Sequence, residues 1–424
     1  MKRVDYLILG GGVSGLAFAN HIKSDDYVII EKESEAGGYC RTTKRNGFVW
    51  DYAGHFFHFS HPELKQVFES ITTSNQTVSR IKNTKIFYKD YYVDYPFQKN
   101  IHQLSKEEMI DCLYGLFIKV EKKEYENFLE MLYGKFGEGI TNKFLLPYNE
   151  KLYACSLNLL DVDAMGRFFP YADIKSIIQN MRHSDNTSYN QTFLYPKDGA
   201  SVYVQKLLDG IQTNSIHYCE EAIRINTENK TLETDKETYI YKYMISSIPL
   251  NHFCEISDLK EAIDPSVFSY NQVLVFNLGF DLPSIDKTIH WIYVPGKDIN
   301  FYRVGFYNNI IGSERLSLYV EIGYSKDTVI SQKEIQTQLQ ATLDGLRKIG
   351  IIEQHKLVDY QSIVMNPAYV HITKKSIEET ARIKSILENR NTYIIGRYGD
   401  WKYCSIEDCM VDSIEIYNKI NNSP

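Results

Sequence analysis

The sequence predicts an α/β protein in three parts: a parallel-sheet domain assembled from separated pieces, an inserted helical domain, and a mainly antiparallel β-sheet domain. Three observations predict it. An apolar strand, Tyr6 to Leu9, runs into Gly10-Gly11-Gly12-Val13-Ser14-Gly15 and then a helical stretch. Residues 105–182 turn to helical spacing, with Leu113, Leu116, Phe117 and Val120 recurring together, as do Phe128, Met131 and Leu132. Residues 268–325 read as successive strands: VLVFNLGF, IHWIYV, FYRVGFYN and LSLYVEIG.

A second apolar strand, Tyr27 to Ile30, ends on Glu31. Strand, glycine turn, helix, strand and acid therefore come in the order of a Rossmann-like dinucleotide-binding fingerprint. Gly10 permits the tight turn, Gly12 lets the backbone approach a pyrophosphate, and Gly15 lets the helix pack closely on the sheet. Val13 and Ser14 open the helix, whose free N–H groups face the pyrophosphate. Glu31, with Lys32 beside it, is placed to accept hydrogen bonds from a ribose. The residues just after this acid separate FAD from NAD. Gly37-Gly38-Tyr39-Cys40-Arg41 forms an E-x5-GG-x2-R arrangement that resembles the extended fingerprint of FAD-dependent oxidases and mutases, which brings Gly38, Tyr39 and Arg41 into the expected cofactor site.

Downstream, Phe48 to Asp51 is a predicted strand entering the loop Ala53-Gly54-His55-Phe56, residues 62–80 a helix and its exit, and residues 84–95 a hairpin. Gly199 to Leu208 reads as a helix, and 222–249 as short strands turning near Asn229-Lys230. Helices are predicted over 331–348 and 376–388. Tyr393 to Gly396 is a strand ending in another turn, and Ser405 with Asp408 makes a capping-box start for a last helix. Free N–H groups over 406–409 would favour negative charge near a flavin ring, so Gly396, Glu407, Asp408 and Cys409 join Gly54, His55 and Phe56 as expected cofactor contacts. The resulting division assigns 1–80, 191–250 and 385–424 to the FAD-binding domain, 101–185 to the helical insertion, and 81–100 with 251–384 to the β-sheet substrate domain.

Composition excludes several classes. A net charge of −7 argues against a nucleic-acid binder. No apolar run approaches a membrane helix, so no membrane span is expected. Seven cysteines without a CxxC pair suit reduced thiols in a cytoplasm, and metal-ligand spacing is absent. Lys2 and Arg3 before an apolar stretch imitate a secretory leader, but cleavage near Ala17-Phe18-Ala19 would destroy the first strand–helix–strand unit. The 33 tyrosines suit either sheet structure or a polar, ring-shaped ligand.

Blocks spread along the chain resemble the UDP-galactopyranose mutase family: GGYCRTTKRNGFVWDYAGHFFHF, YPFQKNIHQLSKEE, GEGITNKFLLPYNEKLYA, AMGRFFP, YNQTFLYP, FYRVGFY, NPAYV and GRYGDWKYCSIED. The resemblance implies interconversion of pyranose and furanose forms of a nucleotide-diphosphate sugar through an adduct between the sugar and N5 of reduced FAD. It implies that Arg303 and Arg397 clamp the diphosphate, that Tyr369 and Tyr403 donate hydrogen bonds to it, and that Arg167 lies near it. It further implies that Tyr95 and Gln98 lie around the base, Asn190 near the sugar, and His55 with its backbone by flavin N5. Tyr153 stands where bacterial mutases carry a tryptophan beside the sugar, so a dTDP-deoxyhexose or UDP-N-acetylhexosamine stays open as substrate. The resemblance also implies an electron donor, NAD(P)H or another reductant. A flavin oxidase of the amine-oxidase or protoporphyrinogen-oxidase type and a non-catalytic FAD-binding relative remain alternatives. The residues leave the oligomeric state open.

Overall fold

The computed structural model describes residues 1–71, 76–182 and 191–421. Its first sheet is centred on Lys2–Leu9, which pairs in parallel with Tyr27–Ile30 on one side and Thr238–Ser246 on the other. Thr238–Ser246 also pairs in parallel with Thr392–Ile394, while Ala222–Asn226 and Thr231–Thr234 add antiparallel strands at one edge. Three distant stretches of chain thus share one sheet. Helices cover both of its faces, so its strands are apolar on both sides. Tyr6 and Ile8 meet Leu16, Phe18, Tyr203 and Met410 on one face. Leu7 and Leu9, one residue out of phase, meet Leu250, Phe253, Ile383 and Leu387 on the other. The helix carrying Ile383 and Leu387 spans Lys374–Glu388, so residue 385 falls inside an element whose second half packs on this sheet.

The second sheet has seven strands in the order Leu357–Met365, Asn271–Phe280, Ser317–Ser325, Arg303–Phe306, Trp291–Tyr293, Thr84–Tyr88 and Tyr91–Asp94. All neighbours are antiparallel except Trp291–Tyr293 with Thr84–Tyr88. Leu357–Met365 was not expected from the sequence. Its alternation is diluted by Asp359, Gln361 and Ser362, and pairing with the fully buried Asn271–Phe280 makes it a strand. Thr77–Ile81 and Thr192–Pro196 form a small antiparallel ribbon, also unforeseen as strands.

The insertion contains helices Lys106–Ile118, Phe128–Ile140, Leu146–Tyr153 and Ile174–Arg182. The first does not bury the face its periodicity predicts. Cys112, Gly115 and Leu116 face inward, while Phe117 and Val120 are exposed. The reason is a close backbone crossing: a Cβ on Gly137 would lie 2.3 Å from the carbonyl oxygen of Gly115, so small residues set the contact face.

Lys151 joins this insertion to the second sheet. Its Nζ donates to the carbonyls of Val294 (2.9 Å), Gly296 (2.8 Å), Ile299 (2.9 Å) and Phe301 (2.6 Å), gathering the loop that leads into Arg303–Phe306. Removing the ammonium leaves carbonyls without their donor in a largely enclosed place. Lys151→Met is therefore expected to cost more than about 2 kcal/mol in urea unfolding. A loss below about 0.5 kcal/mol would show that the clamp is not holding the two units together.

Candidate functional site

The first glycine turn forms one half of a cradle. Gly10 has a φ of +94°, which a side chain would strain. A Cβ on Gly15 would lie 2.1 Å from the carbonyl oxygen of Gly10, so the helix Val13–Ala19 starts directly on the turn. Gly12 is different: its Cβ would meet only the Cα of Gly38, at 4.0 Å. Gly37 N donates to Gly11 O at 2.7 Å and holds the second glycine pair opposite the first. Two glycine backbones thus face each other across space that a side chain would fill. The buried Glu31 carboxylate accepts from Gly11 N (2.7 Å) and Glu33 N (2.9 Å), so it fixes the turn from below, while Lys32 is exposed.

Other expected cradle residues take up defined places. Arg41 Nη2 donates to the carbonyl of Glu35 at 3.0 Å, and its Nε is buried with no partner among the described residues. The Tyr39 hydroxyl accepts from Asn366 N at 2.8 Å, tying the Gly37-Gly38 loop to the residues before Tyr369. Gly396, at φ +77°, rests on the first helix: a Cβ there would lie 2.2 Å from Ser14 Oγ. The expected free N–H groups at the last helix are partly taken. Asp408 N donates to Ser405 Oγ and Cys409 N to Ser405 O, both at 3.2 Å. Glu407 accepts from Ser60 N and His61 N, at 2.7 and 2.8 Å, so its side chain anchors the loop after Phe56.

Beside the cradle lies a cavity of about 220 Å³. The second sheet gives it Trp291, Tyr293, Arg303 and Tyr319, the insertion gives Tyr148 and Asn149 among others, and Gly54, Phe56, Tyr95, Tyr369 and Tyr403 form further parts of the walls. Phe56 stacks on Trp291 at 5.3 Å. The abundant tyrosines are therefore partly at a site and not only in the sheet.

The two arginines singled out in the sequence both meet Tyr369, but Arg303 lines the cavity and Arg397 does not, and they are in different states. Arg303 is held by a two-pronged ion pair with Glu321, Nη2 to Oε1 at 2.7 Å and Nε to Oε2 at 3.0 Å. Tyr302 also donates to Glu321, at 2.6 Å, and Glu321 is 1% exposed. Arg397 has no carboxylate partner among the described residues. Its guanidinium lies 5.1 Å from the ring of Tyr369 and 4.6 Å from that of Tyr403, its Nη1 reaches only the carbonyl of Cys404 at 3.5 Å, and its Nε is buried without a partner. Tyr369 links the pair, since Arg303 Nη2 donates to its hydroxyl at 3.4 Å.

His55 lies in the chain between Gly54 and Phe56, which line the cavity, with its own Nδ1 3.2 Å from the carbonyl of Ala53, whose φ is +85°. Burial lowers its pKa most, and Arg397 and Arg303 add to that against the Ala53 carbonyl, bringing it to about 4. The imidazole is neutral at pH 7.

Several expected residues are placed otherwise. Tyr153 is buried behind Tyr369, ring to ring at 6.0 Å, and does not line the cavity. Gln98 is fully buried and donates to the carbonyl of Pro170, so it supports the wall without forming it. Arg167 pairs with Asp408 at 2.7 Å and lines a second cavity that shares only Phe168 and Tyr403 with the first. Asn190 lies outside the described residues. Sequence reasoning missed Glu321 and Asn149. A single acid inside the apolar strand LSLYVEIG was the available signal for Glu321, because a charge there must be paired. Asn149, whose Oδ1 is buried without a partner among the described residues, gave no signal beyond its place in a helical block.

Among the described residues no cluster of His, Cys, Asp and Glu could hold a metal, and no helix is long and apolar enough to cross a membrane.

Fold and cradle together define a Rossmann-like nucleotide-binding domain joined to a helical insertion and a β-sheet half. A family model for an NAD(P)-binding Rossmann-like domain matches residues 8–71. Among solved structures, the fold is similar to that of reduced UDP-galactopyranose mutase, with a TM-score of 0.91 and 22% identity over 99% of this chain and 94% of that one. It is also similar to a protein from Exiguobacterium provisionally assigned as a protoporphyrinogen oxidase (TM-score 0.77, 15% identity, 99% of each chain). Cyclohexylamine oxidase from Brevibacterium oxydans matches at a TM-score of 0.70 and 12% identity over 99% of each chain. The resemblance in sequence and the fold point to the same architecture.

This geometry has two measurable consequences. Gly12→Ala should leave thermal unfolding nearly unchanged and weaken nucleotide retention, whereas Gly15→Ala should lower the melting temperature because its Cβ meets backbone. Equal melting losses in both variants would contradict the assigned roles. Separately, inorganic pyrophosphate should raise the pKa of His55 above about 4, because an anion near the arginines offsets their repulsion of the imidazolium, while burial, the larger cause, keeps it below the ordinary histidine value. Histidine NMR titration with and without pyrophosphate reads this directly, and an unmoved His55 resonance would place the anion elsewhere.

Proposed function

We propose that the chain is an FAD-dependent mutase that interconverts pyranose and furanose forms of a nucleotide-diphosphate sugar. The observation that carries this reading is Arg397: a cation without a carboxylate partner among the described residues, set between two tyrosine rings and joined through Tyr369 to Arg303. A guanidinium fork matches diphosphate oxygens, and a site built for it is left with an unbalanced charge when empty. The oxidase reading shares the fold but gives no reason for these arginines.

The cradle suits FAD. Gly10, Gly12, Val13, Ser14 and Gly15 would take the pyrophosphate, Glu31 the ribose, and Gly38, Arg41, Gly54, Phe56 and Gly396 the remaining length. Bound in its reduced form, the flavin would supply a nucleophile for the anomeric carbon of the sugar. The protein's part is placement and charge. The diphosphate leaves with the electron pair of its bond to the sugar and returns to the same carbon, so no net oxidation occurs. Arg397 and Arg303 favour the charge that develops on the leaving oxygen. The phenols of Tyr369 and Tyr403 can donate to the same group. Neutral His55 adds no cation beside the sugar, and the aromatic walls limit water near the opened ring.

Arg397→Ala is the clean test. It should weaken UDP or dTDP binding and slow turnover of the best nucleotide sugar by about 30- to 1000-fold, or roughly 2–4 kcal/mol in transition-state stabilisation, with lysine rescuing only partly. Arg303→Ala should lose affinity and stability together, since it strands the Glu321 carboxylate. Adding Glu321→Gln should recover stability without recovering affinity. Calorimetric UDP affinity unchanged in Arg397→Ala would remove the basis for the mutase reading. Oxidised protein that turns over as fast as dithionite-reduced protein without oxygen would remove the proposed nucleophile.

A further inference from the structure

All seven cysteines are free thiols, and two of them meet. Cys404 Sγ and Cys409 Sγ are 3.8 Å apart, one in the loop beyond Trp401 and the other in the first turn of the helix Ile406–Asn421. No role in the proposed chemistry needs a pair of sulfurs here. Cys404 lines the second cavity, of about 300 Å³, together with Lys402, Tyr403 and Asp408, which brings a small oxidant to Cys404; Cys409, half-buried and 3.8 Å away, lies just beyond that lining. A hydrogen bond from the Cys404 thiol favours the Cys409 thiolate and draws the Cys409 pKa below the ordinary thiol value.

The pair is built into the mount of Arg397. The Cys404 carbonyl accepts from Arg397 Nη1 at 3.5 Å, and the preceding residue, Tyr403, stacks on the same guanidinium at 4.6 Å. Cys409 Sγ lies 3.9 Å from where a Cβ on Gly396 would stand, next to Arg397 in the chain. A disulfide requires the sulfurs to approach to about 2.0 Å. Cys409 sits in a helix whose start is fixed by reciprocal Ser405–Asp408 hydrogen bonds, so the loop carrying Tyr403 and Cys404 is the part that yields.

We propose that Cys404 and Cys409 are a redox-modification site that closes to a disulfide and withdraws Tyr403 and the Cys404 carbonyl from Arg397, weakening the diphosphate site. The coupling to affinity rests on the reading of Arg397 given above; formation of the disulfide does not. With hydrogen peroxide as oxidant, the Cys409 thiolate attacks one oxygen and the O–O bond breaks, giving a sulfenic acid and hydroxide. The Cys404 sulfur then attacks the Cys409 sulfur and expels the sulfenic oxygen as water. Two thiols are oxidised by two electrons, and one peroxide is reduced to two waters.

The test uses the full chain, treated with peroxide or with dithiothreitol. Trypsin cutting at Lys402 and Lys419 leaves both cysteines in one peptide, which should emerge two hydrogens lighter after peroxide and return to full mass after reduction. UDP affinity measured on the same samples should fall about tenfold on oxidation, the size of one lost charge-assisted hydrogen bond, and recover on reduction. The doubly substituted Cys404→Ser, Cys409→Ser protein should show one affinity under both treatments. Absence of the lighter peptide, equal UDP affinity of oxidised and reduced protein, or the same loss in the doubly substituted protein would each overturn the proposal. Reduced protein that binds no UDP would count against the mutase reading. The lighter peptide would then still support the dithiol, and its absence would still overturn it.

Discussion

A guanidinium away from bulk water must have its charge answered, and this requirement organises the site. Arg303 is answered inside the protein by Glu321, which is itself held by Tyr302. Among the described residues Arg397 is answered only by the faces of two tyrosines and one distant carbonyl. Aromatic faces and a carbonyl offer partial negative charge, worth far less than a carboxylate in the same place. The two cations thus do different work. Arg303 is fixed by its pair and keeps part of its edge for Tyr369, while Arg397 retains an unsatisfied nitrogen and an unbalanced charge. An acid beside Arg397 would make the empty site more comfortable and compete with any anionic ligand.

The fold brings these groups together because both sheets deliver loops to one seam. Thr392–Ile394 belongs to the first sheet and leads directly to Gly396, so Arg397 is set by the same sheet that sets the glycine turn. Arg303 opens a strand of the second sheet, paired with Glu321 across the adjacent strand. The pairing of Arg303 with Glu321 in register is what allows the two-pronged contact: neighbours across a ladder share a face. The insertion reaches the seam through the helix Leu146–Tyr153, and Lys151 secures the loop that positions Arg303.

The nucleotide half of this arrangement was legible in the sequence because its requirements are local. Gly10, Gly12 and Gly15 are demanded by turn geometry and close approach within one strand–helix unit, and their spacing states this. The strands 271–280 and 317–325 were equally legible, being apolar along their length. The features that stayed hidden depend on distant partners. Leu357–Met365 becomes a strand only through Asn271–Phe280, far back in the chain. Phe117 and Val120 keep helical spacing, yet the crossing at Gly115 and Gly137 turns them outward. The free N–H groups expected at 406–409 are reduced by the capping box that announced the helix. The resemblance named the arginines, but not that one is paired and the other is not.

That difference sets how the site must behave when it is filled. On the proposed reading, an anion entering beside the arginines would meet one charge already spent on Glu321 and one unspent, so the gain would be asymmetric and centred on Arg397. The gain also grows as water leaves, since the aromatic walls lower the local dielectric for a charge pair formed there. Neutral His55 is part of the same balance. A protonated imidazole would add a third positive charge beside two guanidiniums, and burial with those neighbours prevents it. Among the described residues Arg397 thus stands without a carboxylate partner, next to a neutral His55, and on the proposed reading it is the cation that a leaving group would meet as it gains negative charge.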